Sequence, residues 1–330
     1  MKAGSAAWRR SVLACALVLP LAAGAGTGAD TGDGAGLQPF ASVPTNGLEG
    51  LDVAADGTLY VTDATARAVH RIDARGTAAE FARLPAVPQV ILLGADGALV
   101  TAQQREPDFA AWQREGRAPT GADFAHLGAV LLELDRDGRV RGTLAGPDGS
   151  FFNGMDRLGE DVLVADSTAA MIWRANPRAG RLQPWLRDAR LAAPAGRFPG
   201  ANGLKIVAGF AYVANSAGNA LYRIGIDAAG APRGALERVA GVNGPDDFDV
   251  AADGTIYLPS EGRVLRIATD GTLTELARGC GGCDTARLAA GGRVLLLATH
   301  GFGPDAGPGR VYRLPLDSPM PARNPGGNPR

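Results

Sequence analysis

A chain of 330 residues is long enough for two ordinary domains, yet all-β barrels and propellers of this size fold as one. With 47 glycines, 6% aromatic residues and no long stretch at the 3.6-residue apolar spacing, the composition argues against a helical protein and for many short strands joined by turns. The formal charge of −1 and the absence of any basic run exclude the electrostatic footprint of a nucleic-acid binder.

Met1 to Ala25 has a basic start (Lys2, Arg9, Arg10), an apolar run from Ser11 to Ala22, and small residues at Ala23 and Ala25, the pattern of a cleaved export signal. Its removal takes away three positive charges and no acid, moving the chain from −1 to about −4. Arg9-Arg10 faintly resembles a twin-arginine signal and Val12-Leu13-Ala14-Cys15 a lipoprotein box set too early, so ordinary secretion is the preferred reading. The expected destination is the periplasm or the exterior, with no membrane attachment beyond the signal. Residues 26–36 read as a flexible lead, 37–317 as one folded domain and the Pro-, Asn- and Gly-rich 318–330 as a disordered tail.

The folded part is organised by a repeat. Gly47-Leu48-Glu49-Gly50-Leu51-Asp52-Val53-Ala54-Ala55-Asp56-Gly57-Thr58-Leu59-Tyr60 returns as Gly244-Pro245-Asp246-Asp247-Phe248-Asp249-Val250-Ala251-Ala252-Asp253-Gly254-Thr255-Ile256-Tyr257, and so close a copy marks an array. Around the first copy the pattern is a strand ending near Val53, an Asp-Gly turn, then strands Thr58–Thr62, Ala68–Asp73 and Ala79–Leu84. Four antiparallel strands in about forty residues make one propeller blade. Six such units open near Glu49, Gln89, Asn153, Asn202, Asp246 and Asp284. The last supplies only three strands, and Leu37-Gln38-Pro39-Phe40 echoes Leu182-Gln183-Pro184-Trp185 of the third unit. The expected fold is therefore an all-β, six-bladed propeller of four-stranded antiparallel blades, closed by the N-terminal strand.

The six opening positions form a ring at one end of the central channel, and every member carries a side-chain oxygen. A hard cation such as Ca²⁺ is suited to that set. Turn chemistry competes as an explanation of any single member, because Asn and Asp commonly start turns. It explains six in register less well, since the flanking Gly50, Gly154 and Gly203 can supply tight turns by themselves.

The ring residues resemble a known family. Glu49 in Leu48-Glu49-Gly50-Leu51, Asn153 in Phe152-Asn153-Gly154-Met155, Asn202 in Ala201-Asn202-Gly203-Leu204 and Asp246 in Pro245-Asp246-Asp247-Phe248 are similar to the metal-binding motifs of the senescence-marker/gluconolactonase superfamily of six-bladed propellers. Lactonases, the squid-type organophosphate hydrolase and, more distantly, the paraoxonases belong to it. The resemblance implies a divalent metal, most often Ca²⁺, held by Glu49, Asn153, Asn202 and Asp246. It also implies metal-assisted hydrolysis of a small-molecule lactone or related ester, with Asp246 activating water or attacking directly. One departure is that sugar lactonases of this family carry Arg two residues before the first metal Asn and Asp just after it. Here those places hold Phe151 and Gly154, which favours an apolar or aromatic rim over sugar specificity.

His300 follows the second strand of blade six and is expected on the metal face, either as general base or as a solvated loop residue. His70 is expected to be structural, and His126 lies in an insertion, Gln104–Gly128, that overhangs the metal face with Asp188–Gly200 and Gly301–Gly309. Phe109, Trp112 and Phe124 of this insertion either line a substrate pocket or pack the loop down. Asp247 is read as a turn cap ahead of a further ligand. Cys280 and Cys283 are the cysteines left after the signal; a local disulfide is the preferred reading over a redox or zinc motif. Against the hydrolase stands a non-catalytic propeller that binds a ligand or protein, its metal only tying blades together.

Overall fold

The computed structural model describes residues 36–108, 111, 115, 121–124, 126–289, 291–301 and 307–316. The signal at 1–25, nearly all of the lead, the tail at 318–330, Phe109 and Trp112 lie outside the described residues. The chain enters on β1 (Gln38–Val43). Blade one follows with β2 (Leu48–Val53), β3 (Leu59–Asp63), β4 (Ala68–Ile72) and β5 (Ala78–Arg83). Blade two is β6 (Val87–Gly94), β7 (Gly97–Gln103), β8 (Ala129–Leu134) and β9 (Val140–Ala145), with a short helix α1 (Gly121–Phe124) between β7 and β8. Blade three is β10 (Phe152–Leu158), β11 (Asp161–Asp166), β12 (Met171–Asn176) and β13 (Arg181–Arg187). Blade four is β14 (Ala201–Val207), β15 (Phe210–Asn215), β16 (Ala220–Ile226) and β17 (Pro232–Gly241). Blade five is β18 (Asp249–Val250), β19 (Ile256–Ser260), β20 (Arg263–Ile267) and β21 (Leu273–Arg278). Blade six is β22 (Cys283–Leu288), β23 (Val294–Thr299) and β24 (Gly309–Pro315), and β1 takes its fourth place.

All six sheets are four-stranded. The expected closure is therefore present: β1 pairs antiparallel with β24 from Gln38↔Arg313 to Val43↔Gly309, and the Arg313 guanidinium lies over the Phe40 ring. Second strands such as β11 (DVLVAD) are buried along their whole length, because each is sandwiched between neighbouring blades. Outer strands such as β9 (VRGTLA) are largely exposed and carry charge, which discourages edge pairing. The apolar residues form one layer per blade junction. At the junction of blades six and one, Leu48, Val61 and Ile72 meet Leu296, Ala298 and Val311, with Val43 of β1 in the same cluster; burying such side chains is worth about 1.5–3 kcal/mol each.

The repeated Asp-Gly turns have the same chemistry in both copies. Asp56 Oδ1 accepts from Thr58 N, and Asp253 Oδ1 from Thr255 N, each at 2.9 Å. Gly57 and Gly254 sit at φ of +85° and +91°, a conformation that costs glycine nothing.

The inner strands depart from expectation in two ways. Gly50, Gly154 and Gly203 make no tight turns; they let neighbouring inner strands approach. A Cβ on Gly154 would meet Asn202 O at 2.4 Å, and one on Gly203 would meet Asp246 O at 2.4 Å and Asp247 Cα at 2.9 Å. Gly203→Ala is accordingly expected to cost about 1–3 kcal/mol and to push Asp246 out of place, read as a lowered melting temperature. Blade five also opens later than the repeat implies, since its ladder begins at Asp249. Asp247 N instead donates to Asp284 O across the blade junction at 3.0 Å, so Asp246 and Asp247 sit in a connector between blades.

Candidate metal centre

In blades one, two, three, four and six the inner strand is bulged where the polar ring residue sits, for example between Leu48 and Leu51 and between Ala201 and Leu204. A bulge inserts one residue and re-aims its side chain. It lets two positions three residues apart serve the channel: the ring itself, and a deeper set made of Asp52, Asp156, Lys205, Asp249 and Arg287. Asp52, Asp156 and Asp249, on blades one, three and five, each accept from a backbone N–H of the next blade: Leu93 N at 2.8 Å, Ile206 N at 2.6 Å and Leu288 N at 2.8 Å. Arg287 adds a bond to Asp52 at 2.8 Å and lies 3.9 Å from Asp249.

Hydroxyls fix the backbone of the ring. Thr101 Oγ1 donates to Asn153 O at 2.7 Å, Ser167 Oγ to Ala201 O at 2.7 Å and Ser216 Oγ to Pro245 O at 2.6 Å. Thr62 does the same for Gln89 O and Thr285 for Glu49 O. Each clamp comes from the neighbouring blade, so blade packing sets the spacing of the ring.

On this frame Glu49 Oε1 lies 2.6 Å from His300 Nδ1, and Asp284 Oδ2 lies 3.7 Å from the same nitrogen. Glu49, Asp284 and His300 offer ligand atoms within 4.8 Å of one another. Asp246 belongs to the same electrostatic group: its carboxyl accepts from the Asn202 side chain and feels Glu49, Asp247 and His300. Asn202 is 1% exposed, and its Nδ2 donates to Ser216 Oγ at 2.8 Å, which fixes the amide. Asn153 is half-buried beside Asn202, and Gln89 is buried on blade two. The structure thus brings Glu49, Asp284 and His300 together, with Asp246 coupled to Glu49 and His300 and hydrogen-bonded by Asn202, while Asn153 stands next to Gly154, which packs against the Asn202 backbone.

Burial pushes the Asp246 carboxyl well above the usual carboxylate range, and Glu49 and Asp247 push it further; His300 and the Asn202 hydrogen bond offset part of this. Asp284 is raised in the same way by burial, then by Glu49 and Asp246. Burial by itself would lower the His300 imidazole, but the Glu49 field and hydrogen bond, with Asp246 and Asp63 behind them, raise it. These are carboxylates crowded together without enough cation. Asn202 Oδ1 and Asp284 Oδ1 are buried oxygens with no hydrogen-bond partner. Orphaned oxygens among crowded carboxylates fit a divalent cation.

Several residues fall outside this group. Asp247, expected as a turn cap or a ligand, forms an ion pair with Lys205 Nζ, the two side chains being 5% and 2% exposed. Lys205 was given no role by the sequence, although it stands three residues after Asn202 as Asp52 does after Glu49. His70 bonds Asp63 Oδ2 at 3.0 Å inside blade one, and His126 is exposed. Cys280 and Cys283 form a disulfide that ties the connector from blade five to the first residue of β22. Phe151 does not line an open rim. It is buried with Phe124, Leu127 and Phe198, ring centroids 5.7 and 5.3 Å from Phe124 and Phe198. Mutual packing of these rings fastens the insertion to the 188–200 loop. A separate groove of about 500 Å³ opens between blades two and three, where Asp96, Glu133, Arg141 and Arg178 pair with one another. None of its lining residues has an orphaned buried atom, and it lies at the far ends of the inner strands.

The sequence matches no protein-family model and no curated protein. Solved structures do match. A regucalcin from Agrobacterium tumefaciens, described as a calcium-binding protein, is 18% identical with a TM-score of 0.59 over 88% of this chain and 96% of its own. A gluconolactonase from Xanthomonas campestris is 17% identical with a TM-score of 0.61 over 88% of this chain and 91% of its own. A luciferin-regenerating enzyme is 11% identical with a TM-score of 0.61 over 86% of this chain and 96% of its own. At these identities the likeness is one of fold, and in fold the chain is a six-bladed propeller of the architecture these three share.

Proposed function

We propose that the protein is an exported, metal-dependent hydrolase of a small-molecule lactone or related ester, working at the channel mouth with Glu49, Asn153, Asn202 and Asp246 as ligands. The observation that carries this reading is the cluster of Glu49, Asp284 and His300, their ligand atoms within 4.8 Å of one another, with the Asp246 carboxyl coupled to it and buried oxygens of Asn202 and Asp284 left unpartnered. The gluconolactonase among the structural neighbours supports the reaction class. Calcium is the ion that two carboxylates and two amides would take by themselves, and the calcium-binding neighbour supports it.

A bound divalent cation supplies a Lewis acid that polarises a carbonyl oxygen. The remaining work belongs to the chain. Asn202, locked by Ser216, presents its oxygen without reorganising. Asp246, held by Asn202, is placed to take the proton of an attacking water. The latched loops anchored on Phe124, Phe151 and Phe198 bound the mouth with largely apolar packing.

The test is a panel of lactones, aryl esters and phosphotriesters assayed with chelator and after Ca²⁺ is restored: activity is expected to vanish and return, and robust hydrolysis in chelator sinks the reading. The stripped protein adds a pH signature. Asp246, Asp284 and His300 all have raised pKa values, so the stability they contribute is complete below about pH 3.8 for the acids and pH 6.5 for the imidazole. It is lost as pH rises through the raised values. The thermal shift on adding metal is therefore expected to grow from pH 5 to pH 8, measured by scanning calorimetry.

A further inference from the structure

We propose that blade six completes the ion's shell: the Asp284 carboxylate and His300 Nδ1 join Glu49, so that the site prefers a first-row transition ion such as Mn²⁺, Co²⁺ or Zn²⁺ to Ca²⁺. The proposal rests on the metal-site reading above and goes beyond it in ligands and in ion.

The geometry that leads there is local to one seam. Glu49 comes from the inner strand of blade one, Asp284 from that of blade six, and His300 from the residue after β23. The three ligand atoms lie within 4.8 Å of one another, close enough for one ion to be shared. Asp284 Oδ1 has no hydrogen-bond partner, and the fixed, buried Asn202 beside Asp246 leaves its Oδ1 orphaned as well. A carboxylate with one unpartnered oxygen, Asp284, therefore stands beside the Glu49–His300 pair.

The imidazole is not a mobile loop group. His300 N donates to Gly282 O at 2.8 Å, and Gly301 N donates to Asn46 O at 2.6 Å; Gly47 and His300 form a β-bridge. The backbone of His300 is thus pinned to blade six on one side and to blade one on the other, and its Nδ1 is held toward Glu49. A pinned nitrogen changes the selectivity of an oxygen ring. Calcium takes six to eight hard oxygens in a flexible shell and gains little from imidazole. Manganese, cobalt and zinc accept mixed carboxylate and imidazole sets, and their affinities at such sites exceed those of hard ions. With Nδ1 engaged on the ion, His300 is a ligand, neither the general base nor the solvated loop residue that the sequence left open.

The experiment is calorimetric titration of the metal-stripped protein with MnCl₂, CoCl₂ and CaCl₂, alongside His300→Ala and the bulkier His300→Gln in case the alanine variant folds poorly. Expected is tighter binding of Co²⁺ and Mn²⁺ than of Ca²⁺ in the wild type. In the His300 variants the Co²⁺-to-Ca²⁺ affinity ratio should fall about tenfold or more while Ca²⁺ affinity changes little, and the visible absorption of the Co²⁺-loaded protein should change in band position. A wild type that prefers Ca²⁺ overturns the proposal and leaves the metal-site reading standing. So does a His300 variant with lowered turnover but an unchanged ion ratio, the result a general base would give. If none of the three ions binds, both are overturned.

Discussion

Lys205→Met is expected to cost about 3–5 kcal/mol of stability, because it removes one partner of a buried ion pair and leaves the other uncompensated. The pair lies between blades: Lys205 rises from β14, Asp247 sits in the connector before β18, and both side chains are almost fully buried. The Lys205 ammonium also stands 5.8 Å from the Phe248 ring centroid. For a domain of this size the fall in melting temperature is on the order of 5–10 °C. Replacing both partners, as Lys205→Met with Asp247→Leu, is expected to recover most of the loss, since a well-packed apolar pair avoids the desolvation that the ions carry. Calorimetry on the two single variants and the double variant closes the cycle; a single-variant loss below about 1 kcal/mol would mean that the pair is worth no more than one on the surface.

The same substitution reaches the metal centre. Asp247 already raises the Asp246 carboxyl by its charge, and Lys205 is the cation that partly cancels that charge. Without it the ring becomes more negative, so metal affinity is expected to rise while stability falls, and added metal should restore part of the lost melting temperature.

The relation of this pair to the sequence shows which parts of the fold can be read in advance. Blade boundaries were legible because strand, Asp-Gly turn and strand are local events: Asp56 and Asp253 fold their turns with their own neighbours. Ring closure was legible because the β1 segment repeats a fourth-strand pattern. Asp284 was visible as a ring position, but its meeting with His300 depends on two loops pinned across the seam between blades six and one, which no local pattern records. The alternation of Asp52, Asp156 and Asp249 with Lys205 and Arg287 could have been found by stepping three residues down from each ring position. Its meaning still requires knowing that each inner strand presses against the next, which is what Gly50, Gly154 and Gly203 permit. Phe151 misled for a related reason: its place in the motif pointed to substrate, whereas two loops distant in sequence bring Phe124 and Phe198 to cover it.

Asp246→Asn is the substitution that separates an enzyme from a binding propeller. The change keeps shape and one ligating oxygen, and it removes both a negative charge and the ability to accept a proton from water. If Asp246 activates water, kcat should fall by about 10³-fold or more, a barrier increase of roughly 4 kcal/mol, while KM moves little because the amide still occupies the same space. Metal affinity should fall by far less than turnover, since Glu49, Asn202 and Asp284 remain in place. The variant should also be more stable than the wild type when both are stripped of metal, because burial and the fields of Glu49 and Asp247 oppose a charge at this position. A scaffold whose metal only ties blades together predicts another pattern: any change in ligand binding would track the loss of metal, and no hydrolysis would be there to lose. The decisive measurement is turnover and metal affinity determined on the same preparation. Equal losses of the two would take the catalytic role away from Asp246 and leave it as a ligand alone.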